Sequence, residues 1–192
     1  MELGHKRSQK NRILLLGFLL ANLVAGFYYY YSVKSRSIID FDNSAEQITF
    51  LHKLFQDNMY LLVSEESDFS LDYMLKHKVS HEYDPAMPIH TMKLYREPDG
   101  KLAGFTTYYH PYMHQTGHAL ILFLVVDKEA RNKGYGKKML EYVITELKKE
   151  GCTSAELAVR VENLEAQKLY KKLGFYEYWR DDKFMRMKRL LI

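Results

Sequence analysis

The sequence predicts a mixed α/β domain that follows one N-terminal transmembrane helix. Three observations carry this prediction. Residues 13–33 form an uncharged, mostly apolar run. From residue 37 onward, apolar side chains recur at strand and helix intervals, in the order strand, two helices, three strands, helix, strand, helix and two strands. Within this series, residues 118–140 have the pattern of a buried strand, a glycine loop and the start of a helix.

Length and charge narrow the possible classes of protein. A chain of 192 residues can form one domain with a core and an appendage. Six of the 28 basic residues and one of the 24 acidic residues precede Ser37, which leaves 22 basic against 23 acidic residues in the domain. This near-neutral balance lacks the electrostatic footprint of a nucleic-acid partner. Cys152 is the only cysteine, which excludes an internal disulfide and any multi-cysteine metal site.

The N-terminal segment reads as a membrane anchor. Residues 1–12 form a basic tail, and residues 13–33 are long enough to cross a bilayer as a helix. Tyr28 to Tyr31 lie at the far end of this run, where aromatic rings favour the membrane interface, and Lys34 and Arg36 end it. We therefore expect a single-pass anchor with residues 37–192 as the folded domain.

Two alternatives stay open for this segment. A signal peptide cleaved after Ala25 would have Leu23 at a position that normally takes a small residue, and this favours the uncleaved anchor. Four basic residues precede the anchor and two follow it, which by the positive-inside tendency would place the domain across the membrane from the cytoplasm. This bias is modest, so the side of the membrane on which the domain lies stays undetermined.

The elements before the glycine loop follow from local signals. Ser44 and Gln47 have the spacing of a capping box at the start of a helix. Pro98, Asp99 and Gly100 form a turn between two strand patterns. The expected elements are a strand at 38–41, a helix at 44–57, a helix from about residue 70, and a hairpin of strands 89–96 and 102–109.

The elements after the loop are equally regular. A buried helix face follows Gly136, and residues 155–161 are apolar and rich in strand formers. Asn163 caps a further helix that Gly174 ends. Two strands at 175–180 and 184–191 complete the domain.

The glycine loop has the chemistry of an anion site, because glycines allow close backbone approach and a helix start exposes unpaired N–H groups. A phosphate is the expected ligand. A Walker A loop would need glycine at Arg131 and Ser or Thr at Lys138, and a dinucleotide fingerprint would need glycine at Met139. The spacing excludes both.

Two motifs indicate a third kind of phosphate loop. Residues 131–136, Arg-Asn-Lys-Gly-Tyr-Gly, fit the pattern Arg/Gln-x-x-Gly-x-Gly/Ala, and residues 163–175 fit N-x-x-A-x-x-L-Y-x-x-x-G-F. With these motifs, in this order, the chain resembles the GNAT acetyltransferase superfamily over most of residues 37–192. The resemblance implies a central, mostly antiparallel twisted sheet that is splayed at the acetyl-CoA site and flanked by helices.

The resemblance also implies a function and a set of site residues. The protein would be an N-acetyltransferase with acetyl-CoA as cosubstrate and no metal, acting by direct attack of an amine from a small molecule, peptide or protein. Tyr170 would be the catalytic acid that protonates the departing thiolate, although it could be only a core aromatic residue. The residues implied for acetyl-CoA binding are Leu124 (acyl oxygen), Val126 and Asn163 (pantetheine arm), and Arg131, Asn132, Lys133, Gly134, Tyr135, Gly136 and Lys137 (phosphates). Asn163 could equally be only a helix cap, and the lysines only surface residues.

The general base is not given by the resemblance. Some relatives carry a glutamate at the position of Leu120 and others at the position of Ala158, so neither carboxylate is present here. The remaining candidates, acting through water, are His118, Glu162, Tyr108 and Tyr109. The missing carboxylate leaves a second hypothesis open, a non-catalytic CoA-binding or partner-binding domain anchored to a membrane.

Three histidines at four-residue spacing, His110, His114 and His118, would align on a helix as metal ligands. Pro111 and Gly117 argue against a helix there. We therefore expect a loop between strands without a metal.

Overall fold

The computed structural model describes residues 37–62, 71–72, 75, 91–109 and 117–192. The predicted basic tail and membrane anchor lie outside these residues, as does most of the helix expected from residue 70. None of the helices in the described ranges combines the length and apolar character needed to cross a bilayer.

Within the described residues, seven strands and three helices of nine residues or more form a mixed α/β domain, as predicted. The described elements are β1 (Ile38–Asp40), α1 (Ala45–Leu62), β2 (Thr91–Arg96), β3 (Leu102–Tyr109), β4 (His118–Val126), a 3-10 turn (Lys128–Ala130), α2 (Tyr135–Lys149), β5 (Ser154–Arg160), α3 (Leu164–Lys172), β6 (Tyr176–Arg180) and β7 (Phe184–Leu190). The strands form one sheet in the order β1-β2-β3-β4-β5-β7-β6. This confirms the predicted order of the elements that lie within the described residues.

The sheet is antiparallel except where β4 meets β5. These two strands run parallel and pair only from His118–Ser154 to Ile121–Leu157. Beyond that point β4 continues to Val126 and β5 to Arg160 without pairing to each other. The sheet is therefore splayed in its middle, as the resemblance implied.

A β-bulge marks the point where the two strands part. Tyr108 pairs with Ile121 and Thr107 with Phe123, so Leu122 is the extra residue of β4. The bulge changes the face of the sheet toward which the buried side chains of β4 point. Ile121 packs in the cluster that contains α2, whereas Phe123 packs in the cluster that contains α1.

The helices cover the sheet on both sides. On one side, Leu51, Leu54 and Phe55 of α1 pack against β2, β3 and the end of β4. On the other side, α2 and α3 pack against β4, β5 and β7 in a second cluster. Leu51 is fully buried, and burial of one such side chain stabilises the fold by about 1.5–3 kcal/mol. These two layers hold the splayed strands in place.

α1 begins after Ser44, as predicted, but the hydrogen bonds at its start and the position of its end differ from the prediction. Gln47 is buried, and its Oε1 accepts a hydrogen bond from the N–H of Asp42 at 3.0 Å rather than from Ser44. The N–H of Ser44 instead donates to Asp42 Oδ1 at 2.9 Å. The helix also continues to Leu62, five residues beyond the expected end. Those extra residues reach the opening between β4 and β5.

Candidate functional site

The opening between β4 and β5 is a cleft of about 350 Å³ that runs to the start of α2. Ten of the eleven residues predicted for the site line it: Leu124, Val126, Arg131, Asn132, Gly134, Tyr135, Gly136, Lys137, Asn163 and Tyr170. Lys133 is not part of this lining, since its Nζ donates to Glu97 at 2.9 Å. The cleft thus unites residues from a strand, a loop and two helices, while the roles assigned to them remain predictions.

The backbone of β4 supplies one wall of the cleft. Every second residue of an antiparallel strand bonds to the neighbouring strand. The N–H of Asp127 donates to the carbonyl oxygen of Ala103 at 2.8 Å, so the odd-numbered residues at this end of β4 bond to β3. Leu124 and Val126 therefore direct their N–H groups to the other side, where pairing with β5 has ended. Two donors face the opening.

The loop before α2 supplies the end of the cleft. Gly134 is the N-cap residue and has φ of 80°, and Asn132 also has a positive φ of 62°. A left-handed residue is readily provided by glycine and is strained for most others. The first intrahelical bond runs from the N–H of Lys138 to the carbonyl of Gly134 at 3.1 Å. The N–H groups of the three residues in between have no helical partner and are available to an anion.

The charges at this helix start are those of an anion site. The first turn of α2 contains no acidic residue, and Lys137 lies within it. A positive side chain next to the positive end of a helix dipole is unfavourable. Lys137 Nζ lies 3.5 Å from the exposed Glu141 Oε1, one turn further along α2, so the helix start itself still lacks a negative charge. A bound phosphate group would supply that negative charge.

The start of α2 also lies close to the far wall of the cleft. A Cβ atom at Gly136 would lie 3.5 Å from Leu169 Cδ2 and 3.6 Å from Val126 Cγ2. There is room for a methyl group, but a longer side chain would project between β4 and α3. Glycine at this position keeps the cleft open next to the loop.

Arg131 links the loop to two other segments of the protein through hydrogen bonds. Its Nε donates to the carbonyl oxygen of Val126 at 3.3 Å, and its Nη2 donates to Asn58 Oδ1 at 2.8 Å. Asn58 is buried, and its Nδ2 donates to the carbonyl oxygen of Leu54 at 2.8 Å. The guanidinium is thus committed to the protein, and the backbone of the loop remains for the ligand.

The cleft is also lined by three residues of α1 that the sequence did not indicate: Asn58, Leu61 and Leu62. They lie in the second half of a helix that the resemblance motifs do not reach. No local signal marks them, because their position depends on how α1 packs over the sheet.

Tyr170 lies on the α3 wall of the cleft and is 7% exposed. Burial raises the pKa of its phenol to about 12. Its ring packs against Phe175 with a centroid distance of 6.1 Å, and its hydroxyl forms no hydrogen bond within the described part of the chain. The phenol is therefore protonated at neutral pH and free to donate to a group in the cleft.

Asn163 has the geometry of a helix cap. Its Oδ1 accepts a hydrogen bond from the N–H of Ala166 at 3.2 Å, which confirms the predicted start of α3. Because the same residue also lines the cleft, its side-chain nitrogen can serve a ligand.

The structure separates most of the candidate bases from the cleft. Tyr108 is buried in the core, where burial raises its pKa further. His118 Nδ1 is hydrogen-bonded to Ser154 Oγ at the opposite end of β4. Glu162 accepts a hydrogen bond from Tyr60 at 2.5 Å and lines a separate pocket of about 190 Å³.

Ala158, one of the two positions at which the resemblance led us to look for a base, is exposed and lines the cleft. The acidic residue in the described lining is Glu165, which is exposed in the first turn of α3. His110 and His114 lie outside the described residues, so the structure does not bear on the predicted loop.

Two relatives resemble part of the chain in sequence. It is 39% identical over 59 residues to a ribosomal protein bS18-alanine N-acetyltransferase from Escherichia coli, a match that covers 31% of this chain and 40% of the relative. A protein of the same name from Haemophilus ducreyi is 40% identical over 57 residues, with 30% of this chain and 39% of the relative covered. The chain therefore spans about 40% of the length of the curated relatives it matches.

Solved structures resemble the fold more completely. A spermidine N-acetyltransferase from Vibrio cholerae in complex with CoA and spermine aligns with a TM-score of 0.64 and 18% identity, over 81% of this chain and 96% of that chain. The ribosomal-protein-S18-alanine N-acetyltransferase from Escherichia coli aligns with a TM-score of 0.56 and 20% identity, over 80% and 92% of the two chains. At these identities the likeness establishes the fold alone.

Residues 48–175 match the sequence model of the acetyltransferase (GNAT) family. This range contains both motifs, the bulged and splayed β4, and the start of α2. It covers more than half of the 192 residues. The chain belongs to the acetyltransferase (GNAT) family.

Proposed function

We propose that this protein is an N-acetyltransferase that transfers an acetyl group from acetyl-CoA directly to an amine. One observation carries the proposal. A single cleft joins an anion-binding helix start, the N–H groups of a splayed strand and a buried, protonated phenol. These are the groups that a thioester with a pyrophosphate tail requires.

In this reaction the residues of the cleft have separate roles. The N–H groups of the loop hold the pyrophosphate, and that of Val126 holds the pantetheine arm. The N–H of Leu124 stabilises negative charge on the acyl oxygen when the neutral amine attacks the carbonyl carbon. As the new C–N bond forms and the C–S bond breaks, Tyr170 gives its proton to the leaving sulfur. The proton released by the amine passes to water, and the phenolate of Tyr170 takes a proton back from water.

The acceptor is an amine whose identity the cleft leaves open. The relatives in sequence and fold are named for two acceptors, an alanine of ribosomal protein bS18 and spermidine. Both acceptors are amines, and they differ in size and charge. A panel of alanine-initiated peptides, polyamines and amino sugars, assayed with the full chain, identifies the class.

The second hypothesis is a CoA-binding domain without transferase activity. It is favoured by Ala158, which leaves the cleft without the carboxylate that relatives use as a base. Transfer to any amine of the panel by the full chain would exclude it. Tight CoA binding with no transfer and no hydrolysis would support it.

The proposal includes the single-pass anchor at residues 13–33, which rests on the sequence. An uncharged run of this length is long enough to cross a bilayer as a helix. Protease digestion of intact and opened vesicles carrying the full chain tests both the anchor and the side of the domain. Release of the whole protein by a high-salt wash would contradict the anchor.

The loop assignment is tested with two glycines that have nearly the same geometry. Gly134 and Gly151 lie beyond opposite ends of α2, with φ of 80° and 79°, and nothing lies within 4 Å of a Cβ at either position. Valine at either position is strained by the left-handed backbone to a similar degree. Only at Gly134 does that strain disturb the cleft.

We expect Gly134→Val to weaken CoA binding at least about tenfold and Gly151→Val to leave it within about twofold, although both lower the melting temperature. Titration calorimetry on the full chain in mild detergent measures both. Equal CoA affinities for the two variants would contradict the proposed phosphate loop.

A further inference from the structure

We propose that Glu97 is the positioning residue of the CoA-binding loop, an inference that rests on the proposed function. Glu97 follows β2 directly, in the turn that leads to β3. Its Oε1 accepts two hydrogen bonds, one from Lys133 Nζ at 2.9 Å and one from the hydroxyl of Tyr135 at 2.8 Å. A single carboxylate oxygen therefore holds the loop at two points.

The two donors lie on either side of Gly134. This glycine has the left-handed φ of 80° on which the direction of the loop N–H groups depends. Glycine has the widest choice of backbone conformations, so a loop centred on it is held in one conformation only by its neighbours. Fixing Lys133 and Tyr135 to one carboxylate restricts the backbone between them.

The turn that carries Glu97 is itself held by hydrogen bonds. The N–H of Glu97 donates to the carbonyl oxygen of Lys101 at 2.8 Å, and its own carbonyl accepts from the N–H of Gly100 at 2.9 Å. The ring of Tyr135 is stacked on Tyr95 with a centroid distance of 4.4 Å. The β2–β3 hairpin thus presents a fixed carboxylate and a fixed aromatic face to the start of α2.

The carboxylate is shielded and charged. The side chain of Glu97 is 11% exposed. Hydrogen bonds from Lys133 and Tyr135 lower its pKa, and the same carboxylate raises the pKa of Tyr135 to about 12. All three groups therefore keep their protonation states at neutral pH. Charge-assisted hydrogen bonds are stronger than neutral ones, and here the carboxylate is covered although the side chain of Lys133 is 49% exposed.

The chain provides a matched control for this contact. Lys101 Nζ lies 3.0 Å from Glu129 Oε2, and this ion pair joins the same two segments, the β2–β3 turn and the stretch between β4 and α2. Its side chains are 57% and 73% exposed, and Glu129 does not line the cleft. If any link between the two segments sufficed, loss of this pair would have the same effect as loss of Glu97.

We expect Glu97→Ala to raise the Kd for CoA and the KM for acetyl-CoA about tenfold with kcat within about twofold, because a disordered loop weakens binding and leaves the reacting groups unchanged. Glu97→Gln retains an acceptor for both donors and recovers most of the affinity. Glu129→Ala retains the affinity of the unaltered chain. In the absence of CoA, amide hydrogen exchange at residues 132–137 becomes faster in Glu97→Ala and not in Glu129→Ala.

Tyr135→Phe removes one donor without altering the carboxylate, which keeps the test decisive if Glu97→Ala does not fold. It should lose a few-fold in affinity, and in its background Glu97→Ala should lose less than in the unaltered chain. Unchanged CoA affinity and unchanged loop exchange in Glu97→Ala would overturn the inference, as would equal losses in Glu129→Ala. If the unaltered chain bound no CoA, the proposed function would fail, while the exchange rates would still report whether Glu97 holds the loop.

Discussion

Arg131 donates a hydrogen bond from Nη2 to Asn58 Oδ1 at 2.8 Å, across 73 residues of sequence. The same guanidinium bonds the carbonyl of Val126, the last residue of β4. One side chain therefore connects the end of the splayed strand, the loop and α1. The arginine of the loop motif therefore has a structural role, because its hydrogen bonds link these three segments.

Removal of the hydrogen bond between Arg131 and Asn58 is expected to lower both stability and CoA affinity. Asn58→Ala should reduce the free energy of unfolding by about 1–3 kcal/mol, since it removes an acceptor of Arg131 and a buried donor to the carbonyl of Leu54. Asn58→Asp keeps the acceptor and should retain CoA affinity. A double-mutant cycle with Arg131→Met, by urea unfolding, should give a coupling energy of about 1 kcal/mol. Strict additivity would show that the contact contributes nothing.

Tyr170→Phe tests the proposed acid with little structural disturbance. The hydroxyl has no partner in the described part of the chain, so its removal should leave the melting temperature and CoA affinity unchanged. We expect kcat to fall by about 100-fold or more, because the leaving sulfur must then depart without a proton. Burial raises the pKa of Tyr170 to about 12, so any decline of kcat with pH below about 10 must come from another group. Full turnover in the variant would remove the acid role.

Asn163 can be tested for its two roles separately. Asn163→Ala should destabilise the protein by about 1 kcal/mol through loss of the cap on α3. Asn163→Asp retains an oxygen that accepts from Ala166 and should restore stability. If the side-chain nitrogen also binds the arm of acetyl-CoA, only stability and not KM recovers in the aspartate variant. Recovery of both would leave Asn163 as a cap alone.

Local signals predicted the elements that have clear ends. The hairpin strand Leu102–Tyr109 and the helix between Asn163 and Gly174 lie where the turn and capping residues place them. The end of α1 was predicted too early. The sequence did not indicate that Asn58 is helical. Its side chain forms hydrogen bonds with Leu54 and Arg131, and Arg131 is distant in sequence.

The site was predictable where it consists of backbone. A glycine loop before a helix indicates which N–H groups are exposed, whatever the side chains around it do. Side-chain partners were not predictable. Lys133 was expected near phosphate, yet its Nζ bonds to Glu97, 36 residues earlier. Contacts of this kind arise from the pairing of strands, and no pattern within the loop reveals them.

Asp127 gives a prediction for stability against pH. It is buried directly after β4, where its Oδ1 accepts from the N–H of Glu129 at 3.0 Å and its Oδ2 from Lys53 Nζ at 3.1 Å. Burial alone would raise the pKa of this carboxyl, but the two hydrogen bonds outweigh burial and lower it below the ordinary value of 3.8. A lowered pKa stabilises the folded state above the ordinary value, and this contribution is lost as the pH falls through the folded value.

We therefore expect Asp127→Asn to lose about 1–3 kcal/mol at neutral pH and to flatten the decline in stability as the pH falls below about 4. Urea unfolding at several pH values measures both. The control is Asp57→Asn, which alters an exposed carboxylate on α1 and should keep the decline of the unaltered chain. Because Asp127 fixes the turn from β4 toward the loop, its loss should also weaken CoA binding. A decline equally steep in Asp127→Asn would show that other carboxylates set the acid limit of the fold.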